Sequence, residues 1–294
     1  MRLRVFGGVV AALAALPAAA ADLPRIASTT LCGDQYLLAL GVREQIASVS
    51  WMATGPNSAY ADAAEGLPTN RGGLEELLAS GADKVLAPRG TDPQMLRVLE
   101  AFDMEAVPIP MANDFETVAS NLRAVGEAIG RPEAAEAAVA EMEARLAAIA
   151  PADGAPRPRA LYYRPGGGGA GAGTFVHAVI EAAGMLNHQA ERGMTGWAGL
   201  PLEALATDPP DGIVTSFFDT SRASARGRLS RSSVFRRATI EKPLVEVPGR
   251  LWICGHPKMA EAAEILAAAR PRFIAEMAAR GADGDGCAED EASR

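Results

Sequence analysis

Between Asn113 and Ile149 the hydrophobic positions fall into two helical runs. Val118, Leu122, Val125 and Ile129 recur at three- and four-residue spacing, and Ala135, Val139, Met142, Leu146 and Ile149 repeat the pattern beyond Gly130-Arg131-Pro132. Asn113 followed by Glu116 reads as a capping box. Pro132 suits the first turn of the second helix, where its missing N–H is not needed, and Pro151 stops that helix. The pair lies near mid-chain, where a rigid connector between two units would sit.

On both sides of it, short apolar runs alternate with helical patterns. Ahead of it, strands are predicted at Arg25 to Ser28, Gln45 to Ser50, Lys84 to Ala87 and Glu105 to Ile109. Helices are predicted at Gly33 to Leu40, Leu74 to Ser80 and Pro93 to Phe102. After it, strands are predicted at Arg159 to Tyr163, Gly212 to Ser216, Leu244 to Val247 and Leu251 to Cys254. Helices are predicted at Thr174 to Ala183, Leu202 to Ala206, Lys258 to Ala269 and Arg272 to Ala279. Such alternation on both sides of the connector predicts two α/β lobes, each a mostly parallel sheet covered by helices. The divisions are a signal peptide at 1–21, an N-terminal lobe at 22–130, a connecting helix at 131–150, a C-terminal lobe at 151–280 and a disordered Gly/Asp-rich tail at 281–294.

Composition narrows the function. Arg2 and Arg4, the apolar run from Val5 to Leu16 and the small residues Ala19-Ala20-Ala21 have the form of a cleavable export signal, which places the mature chain in the periplasm as a soluble protein. A net charge of −8 argues against a general nucleic-acid binder. Cys32 and Cys254 both follow strands, one in each half, so an exported chain offers two readings: a disulfide tethering the lobes, or a thiol pair acting on a metal centre. Cys287 falls in the tail. No Gly-x-Ser-x-Gly elbow is present to support an exported Ser or Cys hydrolase.

An internal repeat links the halves. Leu74-Glu75-Glu76-Leu77 matches Leu202-Glu203-Ala204-Leu205, and Asp83-Lys84-Val85-Leu86 matches Asp211-Gly212-Ile213-Val214 at the same offset (203 − 75 = 211 − 83 = 128). A helix–strand unit is therefore used twice.

At these residues the chain resembles the periplasmic substrate-binding proteins of ABC importers, in the helical-backbone class that serves cobalamin and ferric siderophores. Arg25-Ile26-Ala27-Ser28, Asp34, Leu37 to Gly41, Ile46 and Val49-Ser50 resemble that family's first strand–helix–strand. Leu74-Glu75 through Leu86 resembles its "L-E-x-L … P-D-x-V" segment, with Ala82 in place of the usual proline and Pro210 keeping it in the second copy. The resemblance implies an α/β fold of two doubly wound, Rossmann-like lobes joined by one long connecting helix, with the ligand held in the cleft between the lobes, no catalysis and no cofactor. It further implies a monomer that carries a metal chelate to an inner-membrane permease dimer. Haem and a free metal ion are the alternative cargoes, the second weakened by having only His177, His188 and His256 as imidazole ligands.

Ligands in open parallel sheets lie beyond the carboxyl ends of the strands. That rule selects Trp51, Tyr60, Tyr162, Tyr163, Arg164, Trp197, Phe217 and Arg222 as candidate contacts. The loop-borne tryptophans Trp51 and Trp197 lead, and Arg222 opens a loop dense in arginine from Arg222 to Arg237. Gly166 to Gly173, made only of glycine and alanine, is expected to be a flexible cleft rim. The resemblance assigns Glu75 and Glu203 to permease docking, one on each lobe.

Overall fold

The computed structural model describes residues 23–164, 168–199, 205, 207–217 and 241–292, the side chains of Phe217 and of 281–292 apart. In the N-terminal lobe, strands β1 (Ile26–Ser28), β2 (Ile46–Ser50), β3 (Thr69–Asn70), β4 (Lys84–Pro88) and β5 (Glu105–Ile109) form one parallel sheet in the order β3-β2-β1-β4-β5. Helices α1 (Leu31–Leu40), α2 (Ala61–Ala64), α3 (Leu74–Ser80) and α4 (Pro93–Ala101) connect the strands. Every residue of β2 is buried, as expected for a strand covered on both faces. Pro108 is tolerated because β5 is the sheet edge, where one side of the strand needs no ladder partner.

The C-terminal lobe repeats this plan. Strands β6 (Arg159–Tyr163), β8 (Leu186–Asn187), β10 (Gly212–Phe217) and β11 (Leu244–Pro248) make a parallel sheet in the order β11-β10-β6-β8. Helices α7 (Phe175–Ala182), α8 (His188–Glu191) and α9 (Met259–Ala292) pack with it, and β7 (Gly168–Ala170) pairs antiparallel with β9 (Trp197–Gly199). The order β2-β1-β4-β5 therefore corresponds to β8-β6-β10-β11.

The paired aspartates do the same work in both copies. Asp83 accepts the backbone N–H of Arg25 at 2.7 Å and its own N–H donates to the Arg25 carbonyl at 2.8 Å. Asp211 accepts the N–H of Arg159 at 2.7 Å and donates back to the Arg159 carbonyl at 2.9 Å. Each clamps the start of the neighbouring parallel strand, where the ladder has not yet begun.

Between the lobes lie α5 (Phe115–Ala128) and α6 (Pro132–Ile149). The cap of α5 is Asp114, not Asn113: its carboxylate accepts the Thr117 N–H at 2.7 Å, and no Asn113–Glu116 box forms. Gly130, at φ 73°, makes the left-handed turn between the two helices. Gly126 lets them touch, because a Cβ there would lie 2.5 Å from the Ala135 Cβ. The apolar core is continuous through this pair, running from Ile26 and Leu37 past Val118, Val139 and Met142 to Tyr162, Trp252 and Phe273. The connector is thus a packed wall of the core, not a bare strut between two separate cores.

Four other expectations are corrected. Leu251 to Cys254 is not a strand; Gly249–Leu251 is a 3-10 turn. The two closing helices are one, with Pro271 inside it, and its backbone stays helical to Ala292 through the expected tail. The Ala- and Glu-rich flanks have enough helix propensity to carry the chain past the proline. Gly168 and Gly169 belong to a buried strand and are not a mobile rim. The predicted helix at Leu202 to Ala206 falls almost wholly outside the described residues.

Candidate functional site

The carboxyl ends of the two sheets meet at a single junction. Cys32, in the first turn of α1 just beyond β1, is disulfide-bonded to Cys254 beyond β11, with a Cα–Cα distance of 5.5 Å. Next to it the Tyr36 hydroxyl donates to the Gly255 carbonyl at 2.8 Å and accepts from the Asn121 amide at 3.2 Å. Burial pushes the Tyr36 phenol up to about 12, so it remains a donor throughout the ordinary pH range. Gly255 also passes against Ala112; a Cβ at Gly255 would lie 2.5 Å from the Ala112 Cβ and carbonyl oxygen. Lys258 reaches across to the Ala59 carbonyl at 2.8 Å. The segment from Cys254 to Lys258 is therefore covalently and polarly fixed to the N-terminal lobe.

On the N-terminal side Trp51 follows β2 and is 58% exposed, a large apolar face left to solvent. Its backbone N–H donates to Asn70 at 2.8 Å. Asn70 is buried, and its amide donates to the Ser28 carbonyl and Ser48 hydroxyl at 2.9 Å and to the Val49 carbonyl at 3.1 Å, gathering the ends of three strands. The Arg71 guanidinium stands 5.9 Å from the Trp51 ring centre. Below, buried Asp34 accepts the Ser50 N–H at 2.9 Å and the Ser50 hydroxyl. Burial raises its carboxyl to about 6, against the downward pull of those hydrogen bonds and one from Ser28.

On the C-terminal side Trp197, in β9, is 42% exposed. Its ring rests on Phe175 at 5.4 Å and edge-on to Tyr162 at 6.2 Å, and both of these pack against buried Trp252. The Arg164 guanidinium lies 5.4 Å from the Trp197 ring centre. Glycines permit this packing by close approach. A Cβ on Gly169 would overlap the Gln189 amide, and one on Gly171 would overlap the Met194 carbonyl. Gln189 in turn donates to the Tyr162 carbonyl at 2.9 Å, and Asn187 donates to the Ala170 carbonyl at 2.9 Å, fixing β7 beside β6.

The structure separates the candidate residues. Trp51, Trp197 and Arg164 lie at the sheet ends with surface to offer. Tyr162 is fully buried and supports Trp197 from behind, since side chains alternate along β6 and this one points into the core. Tyr163 points the other way and packs against the cluster of Leu161, Leu205 and Ile213. Tyr60 is drawn away to the connecting helix. It lines a cavity of about 240 Å³ with Leu38, Met142, Arg145 and Glu261, and Lys258 stands 4.3 Å over its ring. The Phe217 side chain, Arg222 with the rest of the arginine loop, and Glu203 lie outside the described residues. Glu75 is exposed on α3, while its neighbour Glu76 caps the helix by accepting the Arg71 N–H at 2.7 Å. Asn70 and Arg71 are not among the candidate site residues, their sequence signal being a polar residue at a strand end, and Asp34 enters only as part of the matched first strand–helix–strand.

A profile of the family described as periplasmic binding protein matches residues 26–225. The chain belongs to that family. Its members are substrate-binding transport proteins, not enzymes. A curated relative, the cobalamin-binding protein of Halobacterium salinarum, is 29% identical over 221 residues, covering 73% of this chain and 60% of its own length. The chain thus spans about 60% of the length of the curated relatives it matches. Among solved structures, the periplasmic haem-binding protein HutB of Vibrio cholerae superposes with a TM-score of 0.71 at 18% identity, covering 83% of this chain and 98% of that one. A periplasmic haem-binding protein from Pseudomonas aeruginosa superposes with a TM-score of 0.67 at 24% identity, covering 84% and 92%. At these identities the likeness establishes the fold: two α/β lobes with a cleft between them. Among the described residues no helix is long and apolar enough to cross a membrane.

Proposed function

We propose that this chain is the periplasmic receptor of an ABC importer. It captures a metal chelate, a corrinoid or ferric siderophore, between its lobes and delivers it to an inner-membrane permease. The observation that carries the reading is the pair of exposed indoles, Trp51 and Trp197, one on each lobe at sheet ends that the Cys32–Cys254 bond holds together. Each has a guanidinium over it, Arg71 or Arg164, so each lobe offers an apolar face beside a hydrogen-bond donor. A bulky chelate with an apolar body and a periphery of acceptors fits that combination. A free-ion receptor is less well supported, because the described residues hold no group of three His, Cys, Asp or Glu side chains able to share an ion.

The reading includes export by the segment 1–21, action as a monomer, and docking through Glu75 and Glu203 on a two-fold permease. Exposed acidic residues on separate lobes steer encounter and release more than they add affinity. In vesicles carrying the permease, uptake of chelate should require this protein. Glu75→Ala and Glu203→Ala should keep chelate affinity while uptake falls, most of all in the double variant. Undiminished uptake with the double variant would remove the docking assignment, and uptake indifferent to the protein would remove the receptor reading.

A further inference from the structure

The disulfide that fastens the lobes is asymmetric. Cys32 is exposed, in the first turn of α1, whereas Cys254 is buried, in a bend beyond β11 that belongs to no helix or strand. A thiolate breaks a disulfide by attacking one sulfur along the S–S axis and expelling the other, so access favours attack at Cys32. That residue lies at a helix N-terminus, where Thr30 caps the Gly33 N–H at 3.2 Å. The partial positive charge there draws in an anionic nucleophile and favours Cys32 as a thiolate once it is released. The two cysteines are 222 residues apart in sequence, so the bond ties lobe to lobe and is not a clip within one loop. Two further cross-lobe hydrogen bonds hold the segment from Cys254 to Lys258: Tyr36 to the Gly255 carbonyl, and Lys258 to the Ala59 carbonyl. Both are single neutral-acceptor bonds that break and re-form. The disulfide is what makes this attachment permanent.

We propose that Cys32–Cys254 is a thiol-exchange site: a dithiol reductant opens it in the folded protein by attack at Cys32, and so unfastens the 254–258 segment from the N-terminal lobe. One thiolate of the dithiol attacks Cys32 Sγ. A mixed disulfide forms there as the Cys32–Cys254 bond breaks, and Cys254 leaves as a thiolate that takes a proton from water. The second thiolate then attacks the reductant's own sulfur in the mixed disulfide, and Cys32 leaves and is protonated in turn. Two electrons pass from the dithiol to the protein. The protein ends with two thiols and the dithiol with an internal disulfide. The placement of Cys32 suits both steps, since it is the accessible sulfur in the first and the stabilised leaving group in the second.

The test uses the disulfide-intact protein carrying Cys287→Ser, so that Cys32 and Cys254 are the only cysteines left. Dithiothreitol is added under native conditions, samples are quenched with iodoacetamide, and each cysteine is followed by peptide mass mapping. Both should become alkylated while the near-ultraviolet circular dichroism stays native. The rate should change less than twofold between no urea and urea just below the unfolding transition. Backbone amides at 254–258 should then exchange hydrogen at least tenfold faster, those of β2 should not, and the melting temperature should fall by about 10 °C. Brief exposure to glutathione, a monothiol, shows which sulfur is attacked: the adduct should sit on Cys32, with Cys254 alkylated. A reduction rate that climbs steeply with urea would mean that the bond opens only in the unfolded chain, and would overturn the exchange site. Native-state reduction with unchanged exchange at 254–258 would overturn the release, and a glutathione adduct on Cys254 would overturn attack at Cys32.

Discussion

Among the described residues each lobe buries one carboxylate, but at opposite ends of its sheet. In the N-terminal lobe it is Asp34, at the cleft end, held by Ser28 and Ser50. In the C-terminal lobe it is Asp211, at the far end, holding the Arg159 backbone and lying 2.7 Å from Arg280 Nη2 on α9, an ion pair outside hydrogen-bonding geometry. Asp83, the repeat partner of Asp211, makes the same backbone clamp but stays exposed. One local device therefore meets two environments. Asp211 is buried beside a cation and a backbone donor, whereas Asp34 is buried beside the Ser50 N–H and neutral hydroxyls, where burial raises its carboxyl to about 6.

The largest contrast is between the two clamps. Asp211→Ala removes a fully buried acceptor, leaving the Arg159 N–H unpaired and the half-buried Arg280 with the Pro209 carbonyl alone, a loss of about 1–3 kcal/mol. Asp83→Ala removes a solvent-competed hydrogen bond worth about 1 kcal/mol. Urea unfolding of both variants checks the ranking, and equal losses would break the comparison.

The next contrast is in pH. Asp34 has a folded pKa of about 6 against an ordinary 3.8, so the native state holds this proton more tightly than the unfolded chain. Its contribution to stability is complete below pH 3.8 and is lost as pH rises through about 6. The total reaches about 3 kcal/mol at ~1.4 kcal/mol per pKa unit. Asp34→Asn keeps an acceptor for the Ser50 N–H and should flatten the stability profile between pH 4 and pH 7. An unchanged slope would show that another group carries it.

Much of this was legible in the chain. The offset of 128 residues between Asp83 and Asp211 carried the equivalence of β4 and β10, and the apolar spacing of Val118 to Ile149 placed both connector helices to within a residue or two. The role of Tyr60 and Tyr162 was not legible, because an aromatic beside a strand end can face cleft or core, and only the pleat and the neighbouring helices decide. Asn113 and Asp114 offered adjacent caps of similar strength, and backbone geometry selected the second. Pro271 read as a break, yet the helix passes through it because burial of Leu266, Ala269 and Phe273 on one face outweighs one missing hydrogen bond.

The remaining contrast is between the two indoles. Trp197 is braced by Phe175, Tyr162 and Arg164, whereas among the described residues Trp51 has Arg71 alone of these partner types and is the more exposed. A braced ring loses less freedom on binding, so it should carry more of the affinity, within the ~1–3 kcal/mol that burying an aromatic face provides. Calorimetric titration with the corrinoid or ferric siderophore that the wild-type protein binds is the direct measurement. Trp197→Ala should weaken binding at least tenfold, Trp51→Ala should weaken it less, and both variants should keep the wild-type melting temperature within a few degrees. Wild-type affinity in both variants would contradict the placement of the chelate between these two residues.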